Sequence, residues 1–290
     1  MEAEAFSPGH VTGFFEAVRA KDPLATGSRG AGLCLSLGAR SRVVLEEAKE
    51  QTISVRINGR KEDARVTIAA LKPLIGRHPF EVNVETRLDL PQSQGFGMSA
   101  AGALSAAYAA AELLEIDKQR AYEAAHLAEL ANSTGLGDVS AIHTGGVTMR
   151  VRAGLPPTGK AKRIDGTPSI VLAQIGRRLL TRSVLKDPEK MRAVNTSGAG
   201  KVTLLSKEPT MRRLMQLSLE FAIETHLASR AVLNAVDAAS KLGLASMAML
   251  GNSVFAIGDV EGLVRVLSEF GEVWVCKVDA DGPRIVSSYS

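Results

Sequence analysis

Residues 91–102, PQSQGFGMSAAG, constrain this chain more than any other stretch. Pro91 and the glycines Gly95 and Gly97 oppose an earlier helix start, and the alanine-rich residues after them favour a helix from Ser99 to about Glu115. Phe80, Val82 and Val84 alternate with polar residues just upstream, which predicts a strand leading into the loop. A glycine loop that opens a helix presents unpaired N–H groups and positive partial charge. Such a loop can meet a dinucleotide, meet a nucleotide phosphate, or simply let a small-residue helix pack closely on a sheet.

Gly95, Gly97 and Ala100 fit the pattern G-x-G-x-x-A, but the rest of a dinucleotide fingerprint is missing. That fold needs a second strand ending in an acidic residue about 20 positions on. Here Glu112, Glu115 and Asp117 fall inside or at the cap of helical sequence, and a further helix over 118–131 stands where the strand belongs. No G-x-x-x-x-G-K-[ST] occurs, so a Walker loop is excluded. Two readings of the loop remain: a phosphate cradle over 94–99 without a Walker lysine, in which the Ser99 hydroxyl reaches a phosphate oxygen or a magnesium ion, or a glycine-rich turn that only lets the alanine-rich helix pack close to a sheet.

Magnesium that bridges two phosphates takes hard oxygen ligands, usually one or two carboxylates plus water. Glu129, at the end of the second helix, and Asp138, in the glycine-rich TGLGDV, supply them. Singly, Glu129 reads as a helix surface residue and Asp138 as an N-cap. With the loop, the three features point to phosphoryl transfer.

Around this centre the sequence predicts an α+β chain of two units. Its 290 residues, 45% of them apolar, can bury cores without disulfides or metal staples. Ile53, Val55 and Ile57 run into Asn58-Gly59, a hairpin signal, with a return strand through Val66, Ile68 and Leu71. Gly145-Gly146 precedes a strand over 147–152, and the Pro- and Gly-rich 154–159 reads as a linker. A boundary there gives units 1–157 and 158–290. The second reads as a strand over 169–175, helices over 188–243, a strand over 247–257, a helix from Val260 and a strand over 273–278, which suits an antiparallel sheet layered with helices.

Composition narrows the partners. Lys and Arg number 35 against 31 Asp and Glu, too mild an excess to demand nucleic acid, and eight Phe, three Tyr and one Trp offer little for stacking bases. The basic cluster over 177–207 reads as a solvated face. Cys34 and Cys276 sit in apolar surroundings and read as buried thiols in a reducing compartment. MEAEAFSPGH has no signal-peptide pattern, and the apolar run 100–114 is too short and too interrupted to span a bilayer, so a cytoplasmic protein without membrane or nucleic-acid partner is expected. Monomer and homodimer both stay open.

These residues resemble the GHMP kinases, the family of galactokinase, homoserine kinase and mevalonate kinase. Pro91, Gly95, Phe96, Gly97, Met98, Ser99 and Ala100 follow its central P-x-x-x-G-L-G-S-S-A-A signature, with Phe96 for Leu and Met98 for the first Ser. Residues 6–15, FSPGHVTGFF, resemble its first motif with His10 where mevalonate kinase has a lysine, and AMLGNSVF at 248–255 is a reduced third motif. Within the family, these stretches together with DPLATGSRGAGLCL and AELANSTGLGDVSAIHTGGV are most similar to the archaeal pantoate kinases.

The resemblance spans essentially the whole chain. It implies a ribosomal-protein-like N-terminal domain, a ferredoxin-like C-terminal domain, ATP and Mg²⁺, and phosphorylation of pantoate to 4-phosphopantoate on the route to coenzyme A. Another small alcohol, homoserine or an isoprenoid precursor, stays open as acceptor, and an RNA-binding module is the alternative outside enzymes. In this scheme Pro91, Gln94, Gly95, Phe96, Gly97, Met98, Ser99 and Ala100 hold the triphosphate, Ser99 and Glu129 the metal, and Asp138 the acceptor hydroxyl. The acceptor carboxylate calls for an arginine fork, Arg29 or Arg150, with His10, Thr12 and Ser28 beside it.

Overall fold

The computed structural model describes residues 1–179 and 181–289. Two long strands, β1 (Glu2–Val18) and β2 (Gly27–Glu47), form an antiparallel ribbon that runs the length of the first sheet. The sheet continues with β3 (Thr52–Ile57), β4 (Arg60–Lys61) and β5 (Phe80–Leu88), with α1 (Arg65–Ile75) inserted before β5. Then come α2 (Met98–Leu113), α3 (Lys118–Asn132), α4 (Asp138–Thr144), β6 (Val147–Arg152) and β7 (Lys160–Ile164). β2 divides its partners: Gly30–Leu33 pair with β6, whereas Ala39–Glu47 pair with β5. β6 is thereby held between β2 and β7 as an inner strand.

The second unit runs β8 (Ser169–Gln174), α5 (Thr181–Leu185), α6 (Pro188–Lys207), α7 (Met211–Glu224), α8 (Arg230–Ser240), β9 (Gly243–Met247), β10 (Ser253–Gly258), α9 (Val260–Ser268) and β11 (Glu272–Lys277). Its antiparallel sheet has the order β11-β8-β10-β9, so its last, first, third and second strands lie side by side in a ferredoxin-like arrangement. The α+β class and the two-sheet architecture read from the sequence are those observed.

α2 explains how the loop is aimed. From Met98 to Ala111 every residue except Ser99 is buried, and small side chains let the helix lie against β1 and β2. Its buried serine, Ser105, bonds Ser41 at 2.7 Å and the Gly102 carbonyl at 3.2 Å. The loop before it is clamped from two sides. His10 N donates to the Phe96 carbonyl at 3.0 Å, and the hydroxyl of Ser253 donates to the Gln94 carbonyl. Gly97 takes φ +68°, and a Cβ there would come within 3.0 Å of the His10 backbone N and O. Gly97→Ala is therefore expected to cost about 2 kcal/mol, read as a lowered denaturant midpoint.

Three local expectations are corrected. The return strand after Asn58-Gly59 is only Arg60–Lys61, and the residues through Val66, Ile68 and Leu71 form α1. Its buried positions, Thr67, Ala70, Leu71, Leu74 and Ile75, repeat at three and four residues, a period that outweighs the short alternation at its start. The apolar stretch over 247–257 is not one strand but the end of β9, a loop at 248–252 and β10. The stretch 154–159 is no free linker: Leu155 is 1% exposed, and its N–H donates to the Leu24 carbonyl at 2.7 Å.

The chain also crosses between units more than a boundary at 157 suggests. β7, just beyond it, pairs with β6, and β12 (Arg284–Tyr289) returns from the end of the chain to pair with β1. Asp279 and Arg284 fasten that return by an ion pair at 3.0 Å, with the guanidinium over the Phe6 ring. Among the described residues no helix is long and apolar enough to cross a membrane.

Candidate active site

A cleft of about 390 Å³ opens where the loop before α2, the lead into α1 and the α3–α4 loop meet β1, β2 and β6. Gly95, Phe96, Gly97, Met98, Ser99 and Ala100 line one wall; Glu129, Thr134, Gly135, Gly137 and Asp138 line another. Thr12, Ser28 and Arg150 lie at its floor. The residues predicted as phosphate-binding thus share a cavity with both carboxylates. Pro91 and the Gln94 side chain do not line it: Gln94 Nε2 donates to the Gly176 carbonyl at 3.0 Å, tying the loop to the second unit.

At the loop end no side chain caps α2, so the N–H groups of its first turn stay open toward the cleft. Ser99 Oγ donates to Glu129 Oε1 at 2.6 Å, and Thr134 Oγ1 donates to the same oxygen at 2.8 Å. Thr134 was not among the predicted site residues. Ser133 takes φ +54° and ends α3, which folds Thr134 back over Glu129; the NSTG stop after the helix was its only signal. Glu129 is 3% exposed, and burial pushes its carboxyl up to about 7, with the nearby Asp138 charge adding while the two hydroxyls oppose. A Cβ at Gly135 would collide with Glu129 Oε2, so glycine gives the carboxylate its room.

A buried carboxylate short of a counter-ion, two hydroxyls and an open helix N-terminus make a donor set that fits Mg²⁺ on a nucleotide. Among the described residues no three His, Cys, Asp or Glu side chains gather into a metal site. An ion held by Ser99 and Glu129 would complete its shell from phosphate and water oxygens, as Mg²⁺ commonly does.

At the other end Asp138 opens α4. Its Oδ1 faces His10 Nδ1 at 2.8 Å and accepts from Thr12 Oγ1 at 3.3 Å, while Oδ2 has no hydrogen-bond partner among the described residues. Burial alone would raise this carboxyl; the His10 contact, the Arg150 charge and Thr12 outweigh it and hold the group below its usual range. Arg150 is 2% exposed, and its Nε and Nη1 are buried without a partner among the described residues. A Cβ at Gly137 would strike Ser28 Oγ and come within 2.7 Å of Arg150 Nε, so Ser28 and Arg150 converge on the turn that carries Asp138.

The other predicted residues lie elsewhere. Arg29 follows Ser28 on β2, and alternation along the strand turns it to the opposite face. It bonds Glu16, its partner on β1, from Nε at 2.6 Å and does not line the cleft. His10 is fully buried behind Asp138 and does not line the cleft either. The reduced third motif closes one wall: Met249 and Leu250 line it, and Met249 N donates to the Thr12 carbonyl at 2.9 Å.

This arrangement can bind a polyanion at a helix N-terminus, hold a divalent ion beside it, and present a carboxylate and a guanidinium, whose Nε and Nη1 have no partner among the described residues, to an anionic acceptor. Comparisons with known proteins bear on the family and the fold. Residues 64–146 match the GHMP kinases N terminal domain. The chain is 34% identical to the curated pantoate kinase of Thermococcus kodakarensis, covering 98% of each chain. It is 32% identical to that of Methanospirillum hungatei, covering 97% of this chain and 96% of the other. Among solved structures, a phosphotransferase related to the CoA biosynthesis pathway superposes with a TM-score of 0.90 at 30% identity over 98% of both chains. A homoserine kinase from Cytophaga hutchinsonii, at 16% identity and a TM-score of 0.69 over 98% of this chain and 97% of the other, shares the fold.

Proposed function

The chain belongs to the GHMP kinase family, and from that membership and the activity of its pantoate kinase relatives we propose that it transfers the γ-phosphoryl group of ATP to the primary hydroxyl of pantoate, forming 4-phosphopantoate and ADP. The observation that carries this reading is the cleft itself, with Ser99 and Glu129 at one end and, at the other, Asp138 with Arg150, whose Nε and Nη1 have no partner among the described residues.

The triphosphate lies along 95–100 with its charge toward the α2 N-terminus. Mg²⁺, when bound, neutralises charge on the transferring phosphate. Ser99 and Glu129 would hold the ion, and Thr134, which donates to Glu129 Oε1, orients that carboxylate. The Arg150 guanidinium takes the pantoate carboxylate, assisted by Ser28, and this sets the acceptor hydroxyl near Asp138. Asp138 Oδ2 orients that hydroxyl for in-line attack and accepts its proton; a loose transition state asks little base strength of it. Positioning and charge neutralisation supply the rest of the rate.

An ADP-release assay over pantoate, homoserine, mevalonate and shikimate tests the acceptor. Pantoate should give the highest kcat/KM by a wide margin; preference for one of the others would move the chain to a different branch of the family. Arg150→Met should raise the KM for pantoate about 100-fold, because a charge-assisted contact is lost, and leave the KM for ATP little changed. An unchanged pantoate KM would remove Arg150 from the acceptor site.

A further inference from the structure

His10 is a histidine that never reaches the cleft. It is fully buried on β1, and its ring meets Asp138 Oδ1 through Nδ1 at 2.8 Å. Nε2 is buried with no partner among the described residues, and it packs so tightly on β2 that a Cβ at Gly32 would lie 2.6 Å away. An imidazolium carries two N–H groups and would leave the one at Nε2 unpaired in the core; a neutral ring with its hydrogen on Nδ1 leaves only a lone pair there. Thr12 adds a second neutral donor to the same carboxylate oxygen. The other oxygen has no protein partner among the described residues, and Asp138 lines the cleft.

We propose that His10 is the positioning residue of Asp138: a neutral Nδ1–H donor that fixes Oδ1 and thereby leaves Oδ2 as the oxygen that meets the acceptor hydroxyl. This rests on the reading of Asp138 as the group that activates the hydroxyl. Two features follow. A neutral donor orders a carboxylate while withdrawing less basicity than a cation in the same place. The ring is also a dead end for protons, since Nδ1 already carries one and Nε2 is buried with no partner among the described residues to pass one on. The proton of the attacking hydroxyl therefore passes to Oδ2 and returns to water through the cleft as the new O–P bond forms and the bond from the γ-phosphorus to the leaving ADP oxygen breaks.

Steady-state kinetics of His10→Leu, His10→Asn and Asp138→Asn, read together, test this. His10→Leu removes the donor; the Asn amide nitrogen can stand near the position of Nδ1 and restores a neutral donor. His10→Leu should lower kcat about 10- to 100-fold with both KM values within about 3-fold, and His10→Asn should recover most of the loss. A Leu variant with full kcat, or an Asn variant no better than Leu, would overturn the proposal. If Asp138→Asn itself keeps its turnover, the reading of Asp138 fails, and an inactive Asp138→Asn beside a fully active His10→Leu refutes the role of His10 alone. Independently of variants that fold poorly, ¹⁵N spectra of the wild-type protein should show one of its five histidines, identified by its absence in His10→Asn or by through-bond assignment, as a neutral Nδ1–H tautomer at neutral pH. An Nε2–H tautomer or an imidazolium at His10 would contradict it.

Discussion

Asp138→Asn is expected to lower kcat about 1000-fold while the protein stays folded and keeps its affinity for ATP within a few-fold. The amide is nearly isosteric with the carboxylate, so its oxygen can still accept from His10 Nδ1 and Thr12 Oγ1. What disappears is the free, anionic Oδ2. A residual rate above that in water should survive, because the α2 N-terminus, Ser99 and Glu129 still bind and orient the phosphates. Steady-state kinetics with a circular dichroism control decide the matter; turnover within about 3-fold of wild type would show that the acceptor hydroxyl is activated elsewhere.

The second large effect separates stability from activity at one residue. Glu129→Gln should abolish most of the magnesium-dependent turnover and yet make the ligand-free protein more stable at pH 8. The folded Glu129 titrates at about 7 against 4.5 for an ordinary glutamate, so the folded state holds its proton more tightly than the unfolded state. Its contribution is fully present below about 4.5, is lost as pH rises toward 7, and stays lost above that. Gln carries no such burden, and the gain at pH 8 should be on the order of 1–3 kcal/mol, shrinking toward zero near pH 5. Melting temperatures of the two ligand-free proteins at pH 5 and pH 8 measure it. A Gln variant less stable at both pH values would mean that Glu129 is retained for packing. Holding an uncompensated carboxylate in the core costs stability where a metal ion needs it, a trade frequent at functional sites.

Much of this site was legible because its parts are local. The glycines, the alanine run and the helix stops around 95–138 carry their own conformational signals, so α2 and α3 lie where the sequence predicts, within about two residues. The choice between Arg29 and Arg150 was not local. It depends on the phase of β2, which places Ser28 toward the cleft and Arg29 toward Glu16, and on the pairing of Gly30 with Arg150. Nothing within either strand reveals that register. The contact of His10 with Asp138 joins residues 128 positions apart, and only the fold of β1 against α4 brings it about. α1 was misread because Val66, Ile68 and the preceding turn alternate over too few residues to distinguish a period of 2 from one of 3.6. β9 and β10 merged for a related reason: the loop between them, Ala248 to Asn252, is apolar because it packs against the phosphate loop and lines the cleft.

The most direct measurement is the ³¹P spectrum of a reaction containing the protein, Mg²⁺, ATP and pantoate. The proposed reaction predicts a new phosphomonoester resonance that grows in step with ADP and is split into a triplet by the two protons of the adjacent methylene carbon, with neither signal appearing when pantoate is omitted. ADP accompanied only by inorganic phosphate, a doublet from phosphorylation of the secondary hydroxyl, or no consumption of ATP would each contradict it.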